Sequence, residues 1–215
     1  MEHAHTWAGN GATVHLCGSL DELGDAAVAV LCNPNNPDGQ RFASERLRLL
    51  ADALAARGGL LVVDETFADL EGSGLSITGA LPHPALIVLR SLGKAYGLAG
   101  LRLGFALATL ERAEMIRDAL GPWAVSGRAI AIGQKALRGG AWLVETAERL
   151  ACETRELDIC LSTGGLSVGG TRLFRLAEAP DAPAVFMRLG SAGIFIRRFA
   201  ERPTMASLWP ARELP

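Results

Sequence analysis

Three short polar stretches each follow an apolar run, and between them they carry an amide-rich turn, a carboxylate and a lysine. Residues 33–39 (NPNNPDG) follow 27–31 (AVAVL), Asp64 and Glu65 follow 60–63 (LLVV), and 90–94 (RSLGK) follow 86–89 (LIVL). In an open α/β sheet, ligands bind beyond the carboxyl ends of the strands, so these three stretches would meet at one sheet edge as a mixed-charge pocket. Each also has a plainer reading. Asn, Pro, Asp and Gly form turns anywhere, Asp64 could cap a helix starting near Thr66, and a lysine is by default a solvated charge. Around Lys94, however, Gly93, Gly97 and Gly100 allow close backbone approach.

The elements that would position these residues follow from the pattern. Short β-type runs alternate with amphipathic stretches through the first half, as in a parallel sheet covered by helices. Residues 44–57 read as a helix, with Leu47, Leu50, Ala51 and Leu54 on one face and Gly58-Gly59 as the stop. Residues 103–108 (LGFALA) read as a fourth strand. Beyond Leu110 the texture changes. Residues 111–119, 126–137 and 141–161 read as helices, 171–177 and 194–198 as strands, and 182–189 as a short helix between them. The expected architecture is an α/β unit over residues 1–109 with a mostly parallel sheet, then a smaller α+β unit over 110–215.

Composition bounds the function. The chain has 215 residues, 49% hydrophobic and 20% charged, with Lys+Arg 21 against Asp+Glu 23. A formal charge of -2 gives no basic field to attract nucleic acid or anionic lipid, so small molecules are the expected partners. Cys17, Cys32, Cys152 and Cys160 are scattered without a C-x-x-C spacing, which suggests reduced thiols, no metal and a cytoplasmic setting. No apolar run approaches the roughly 20 residues that span a bilayer. No G-x-G-x-x-G follows the first strand, which argues against a Rossmann dinucleotide site.

The joint spacing says more than any part. Asn36, Asp64, Lys94 and Arg102 are separated by 28, 30 and 8 residues. The ordered motifs NPNNPDG, VVDETF and SLGKAYGLAGLRLGF resemble the signatures of the pyridoxal-phosphate enzymes of the aminotransferase class I/II family. That resemblance implies the aspartate aminotransferase fold and pyridoxal 5'-phosphate as cofactor. It also implies roles: Lys94 joins the cofactor aldehyde and then acts as base, and Asp64 keeps the pyridinium nitrogen protonated so that the ring is an electron sink. Asn36 would donate to the ring hydroxyl, and Ser91 and Arg102 would hold the cofactor phosphate.

One motif position departs. Phe67 stands where many aminotransferases of the family carry a Tyr. DETFADL, the opening EHAHTWAGNGATV and the late GIFIRRF are similar instead to the threonine-phosphate decarboxylases of cobalamin biosynthesis, close relatives of histidinol-phosphate aminotransferases. By that resemblance Arg197 would bind the substrate phosphate or carboxylate. The plainer reading of Arg197 is a surface charge on an edge strand. The resemblance implies a phosphorylated amino-acid substrate and a homodimer.

The resemblance runs from residue 1 to about 203 and covers part of a family member. The elements that would hold the phosphate loop and the stacking aromatic belong upstream, so an N-terminally truncated chain is expected. Residues 205–215 (MASLWPARELP) replace a W-L-R-F-G-L-P-like segment, as a reading-frame shift would produce, and Arg212 matches no motif position. Three activities follow: a decarboxylase of threonine phosphate, a histidinol-phosphate-type aminotransferase, or an inactive fragment of either.

Overall fold

The computed structural model describes residues 2–72, 74–199 and 204–208. The first sheet is built from β1 (Val28–Cys32), β2 (Leu60–Asp64), β3 (Leu86–Ser91) and β4 (Gly104–Leu107), in that spatial order. The first three strands are parallel, with Cys32 opposite Asp64 and Asp64 opposite Leu89. Their carboxyl ends therefore lie side by side. β4 returns antiparallel, placing Gly104 opposite Ser91. An antiparallel neighbour needs no crossover helix, and residues 92–103 join the two strands as a loop with one short helical turn, Ala99–Leu101.

Helix α2 (Ser44–Ala55) covers one face of this sheet. Leu47, Ala51 and Leu54 recur at helical spacing, are fully buried, and pack with Ala29, Leu61, Val63, Leu86 and Val88. Each large side chain buried this way contributes about 1.5–3 kcal/mol. The helix ends where Gly58 takes a left-handed φ of 75°. Before the sheet lies a helix that the pattern did not suggest, α1 (Glu2–Gly9).

Helices α3 (Leu110–Leu120), α4 (Gly127–Leu137) and α5 (Gly140–Thr163) follow, each close to its expected span. A second sheet contains β5 (Ser167–Gly170), β6 (Arg175–Glu178), β7 (Arg197–Arg198) and β8 (Met205–Leu208), all antiparallel in the order β5-β6-β8-β7, with α6 (Ala182–Ser191) between β6 and β7.

Two expectations change here. The strand expected over 171–177 starts only at Arg175, because the Thr171 amide donates to the Phe174 carbonyl and the Thr171 hydroxyl accepts from the Leu173 and Phe174 amides, closing a turn. The strand expected over 194–198 shrinks to two residues, because the Ile194 amide donates to the Leu189 carbonyl and completes the end of α6. Residues 205–208 form β8 at the centre of the second sheet, while Arg212 lies outside the described residues.

The two sheets meet at a pair of glycines. A Cβ on Gly39 would fall 2.5 Å from the Gly170 backbone, so only glycine fits. Arg41 straddles this contact, donating to both the Gly39 and Gly170 carbonyls at 3.1 Å. Glu71 accepts from Arg41 and, at 2.8 Å, from the Arg172 amide.

Candidate active site

The sheet brings the ends of β1, β2 and β3 into one row. The Asn33 amide donates to the Asp64 carbonyl and the Glu65 amide to the Leu89 carbonyl, both at 2.9 Å, so the three exits are tied together by backbone. Asn36 sits four residues beyond β1, Asp64 is the last residue of β2, and Lys94 lies three residues beyond β3.

Asp64 is held from two sides. One carboxylate oxygen lies 2.9 Å from Nε2 of His3, and the other accepts from the Thr66 amide at 3.0 Å and from the Thr66 hydroxyl. Burial alone would raise its pKa, but the bonds from His3 and Thr66 together outweigh burial and hold it below the usual carboxylate value. The bond to Asp64, joined by one to Cys32, pushes His3 up to about 10. A protonated imidazole and an ionised carboxylate result. Asp64 therefore caps no helix. Its bonds to Thr66 close a turn at the strand end.

The Lys94 ammonium lies over the face of the Phe67 ring, 5.4 Å from its centroid. Phe67 itself is buried and meets the fully buried Phe174 edge-on at 5.2 Å. The loop that carries Lys94 is fixed at both ends. Ser91 Oγ accepts from the Gly93 amide at 3.0 Å, and the Leu98 amide donates to the Leu92 carbonyl. Gly93 is closely packed, since a Cβ there would lie 3.2 Å from Ser91 Oγ and 3.4 Å from Ala99. Gly100, by contrast, faces open space, so the expectation of close approach fails there.

Behind this row, Glu65 is fully buried and accepts from the Ile77 amide at 2.7 Å, from Ser76 at 2.6 Å and from Arg90 at 2.6 Å. Arg90 also bonds Asp69. Burial pushes the Asp69 carboxyl up, and Arg90 offsets only part of that. This ion-pair group braces the turn between Asp64 and Phe67. A cavity of about 270 Å³ opens beside Arg90 and Ser91, walled by Tyr96, Phe105 and Leu107.

Of the six residues singled out in the sequence, the structure sets Asp64 and Ser91 at the ends of the adjacent strands β2 and β3 and puts Lys94 over the Phe67 ring. Arg102 is exposed, at a left-handed φ of 51°, two residues before the ladder partner of Ser91. Asn36 is half-buried in its turn. Arg197 differs: it lies on β7, the edge of the second sheet, with its guanidinium over the Phe199 ring at 5.1 Å. Two participants escaped the sequence reading, His3 and Cys32. No motif spacing links His3 to a carboxylate 61 residues later, and only the fold of α1 over the strand ends joins them.

The aminotransferase class I and II family model matches residues 10–173. The chain belongs to this family. Among its relatives are two proteins called threonine-phosphate decarboxylase. That of Sinorhizobium sp is 41% identical over 208 residues, covering 94% of this chain and 61% of its own length. That of Pseudomonas aeruginosa is 36% identical, covering 99% and 65%. A histidinol-phosphate aminotransferase of Aeromonas salmonicida is 28% identical over 190 residues, covering 85% of this chain and 53% of its own. Among solved structures, histidinol-phosphate aminotransferase from Sinorhizobium meliloti, in complex with pyridoxal-5'-phosphate, superposes with a TM-score of 0.85 at 28% identity, over 97% of this chain and 62% of that one. This member of the family thus spans less than two thirds of the length of these relatives.

Proposed function

We propose that this chain carries the lysine-bearing part of a pyridoxal-phosphate-dependent decarboxylase that acts on L-threonine O-3-phosphate and forms aminopropanol phosphate, a reaction that serves cobalamin biosynthesis. The observation that carries the reading is a charge-fixed Asp64 at the carboxyl end of β2, with Lys94 three residues beyond the adjacent parallel β3 and its amine over the Phe67 ring. The higher identity to the two decarboxylases than to the aminotransferase supports decarboxylation over amino transfer. Phe67, which offers no hydroxyl, supports it as well.

The residues present fit the cofactor. Asp64, kept anionic by His3 and Thr66, suits a protonated ring nitrogen. Ser91 and Arg102 supply a hydroxyl and a guanidinium for a phosphate, and Asn36 an amide for the ring hydroxyl. When bound, pyridoxal phosphate supplies an electron sink for the bond that breaks at the substrate α-carbon. The carboxylate leaves as carbon dioxide, and one proton returns to that carbon. Lys94 is the group that delivers it, with Arg197 orienting the substrate's phosphate or carboxylate. The alternative is a histidinol-phosphate-type aminotransferase, in which Lys94 removes the α-proton and the carboxylate stays.

The experiment measures carbon dioxide release from threonine phosphate beside 2-oxoglutarate-dependent amino transfer from histidinol phosphate. Release without transfer supports the decarboxylase, transfer without release the aminotransferase, and neither activity an inactive fragment. The same reading takes the enzyme as a cytoplasmic homodimer. The exposed Leu110, Met115, Leu120 and Trp123 offer apolar surface for assembly, which sedimentation would measure.

A further inference from the structure

Cys32 and Asp64 are direct partners across the parallel β1–β2 pair, so their side chains emerge on the same face of the sheet at its carboxyl edge. Helix α1 lays His3 over both. The imidazole nitrogen, the Cys32 sulfur and a carboxylate oxygen of Asp64 all lie within 4.8 Å of one another, and all three residues are half-buried. We propose that His3, Cys32 and Asp64 form a site for one divalent transition-metal ion of the zinc class, and that the ion and the cofactor exclude each other because Asp64 serves both.

The donor set fits such an ion. One thiolate, one imidazole and one carboxylate are ligands that zinc accepts, and three protein ligands leave a fourth position open for water. Tetrahedral bonds of about 2.0–2.3 Å place neighbouring ligand atoms roughly 3.3–3.8 Å apart, so shifts of about 1 Å would close the present triangle on an ion. Calcium and magnesium, which require oxygen, are excluded by the sulfur and nitrogen. The ion replaces protons: the one His3 shares with Asp64 and the one on the Cys32 thiol leave to solvent as the metal binds. A divalent ion on Asp64 offsets the negative charge that a protonated ring nitrogen needs and repels that nitrogen, so metal would hold the site in a cofactor-free form. That second half rests on the cofactor reading above.

Cobalt(II) is the probe, because thiolate ligation gives it a charge-transfer band in the near ultraviolet. The cofactor-free chain should bind one cobalt per molecule and show the band, and zinc should displace it. Cys32→Ser should abolish the band and weaken binding at least tenfold, and His3→Gln should weaken it similarly, with far-ultraviolet circular dichroism unchanged in both. Absence of stoichiometric binding by the folded chain overturns the site. A band that survives Cys32→Ser also overturns it, because Cys17, Cys152 or Cys160 would then be the ligand. For exclusion, prior loading with zinc should cut borohydride-fixed labelling of Lys94 by pyridoxal phosphate at least tenfold, and Cys32→Ser should restore it. Labelling indifferent to zinc overturns the exclusion alone. Labelling absent even from the metal-free chain overturns the cofactor reading and the exclusion with it, while the cobalt band still decides the metal site.

Discussion

The imidazole of His3 stands 2.9 Å from the carboxylate of Asp64, joining the first helix of the chain to the end of a strand 61 residues later. This contact holds both groups charged, and its pH dependence follows from the two shifts. The pKa of His3 is raised from 6.5 to about 10, so its contribution to stability is complete below pH 6.5, declines as pH rises, and is gone above about 10. That of Asp64 is lowered from 3.8, so its contribution is present above that value and is lost as pH falls through the folded value. The gap in thermal midpoint between the native chain and His3→Gln should therefore be widest from about pH 4 to 6.5 and should close toward pH 10. A gap that stays constant with pH would show that His3 acts by packing alone.

Lys94 is exposed and its replacement should leave the fold intact. Lys94→Ala should lose the borohydride-fixed cofactor label and slow carbon dioxide release by about 10²–10⁴-fold, the usual worth of a positioned base. Peptide mapping of the label checks this directly. A label retained elsewhere after the substitution would mark nonspecific reaction of surface amines.

Glu65, with no exposed surface, accepts from Arg90, Ser76 and the Ile77 amide. Glu65→Ala leaves the Arg90 guanidinium and a buried amide without that acceptor and should cost about 3–5 kcal/mol. Glu65→Gln keeps the volume and some of the bonds and should cost less. Urea unfolding of the two variants measures the difference, and equal, small losses would mean that the ion-pair group contributes nothing net.

Gly39 and Gly58 separate strain from contact. Both adopt left-handed φ, 71° and 75°, but a Cβ on Gly39 overlaps the Gly170 backbone while one on Gly58 meets nothing within 4 Å. Gly58→Ala should cost about 1–2 kcal/mol from backbone conformation. Gly39→Ala should cost a further 1–3 kcal/mol, roughly, for overpacking where the two sheets meet. Equal losses in urea unfolding would show that the joint yields without cost.

The division between what was legible in the sequence and what was not runs along sequence separation. Apolar runs ending in Asp64 and in Arg90-Ser91, the helical face of Leu47, Ala51 and Leu54, and the stop at Gly58 are local patterns, and each is written in contiguous residues because backbone periodicity decides it. The motif residues Asn36, Asp64 and Lys94 could be placed at one edge for the same reason, since parallel strands share a direction. Strand boundaries at 171–174 and 194–196 were misread because an alternative partner for a single amide, a threonine hydroxyl in one case and a helix-end carbonyl in the other, is set by geometry and leaves no periodic trace. Arg197 reads as a ligand in its motif, and what the fold adds is its place on β7, paired with β8 at a sheet edge beside Phe199. The contact of His3 and Cys32 with Asp64 exists only once the start of α1 brings His3 to the ends of β1 and β2. Composition and spacing name the groups available for chemistry, but which of them come within bonding distance depends on chain segments far apart in sequence, and their meeting is decided by packing.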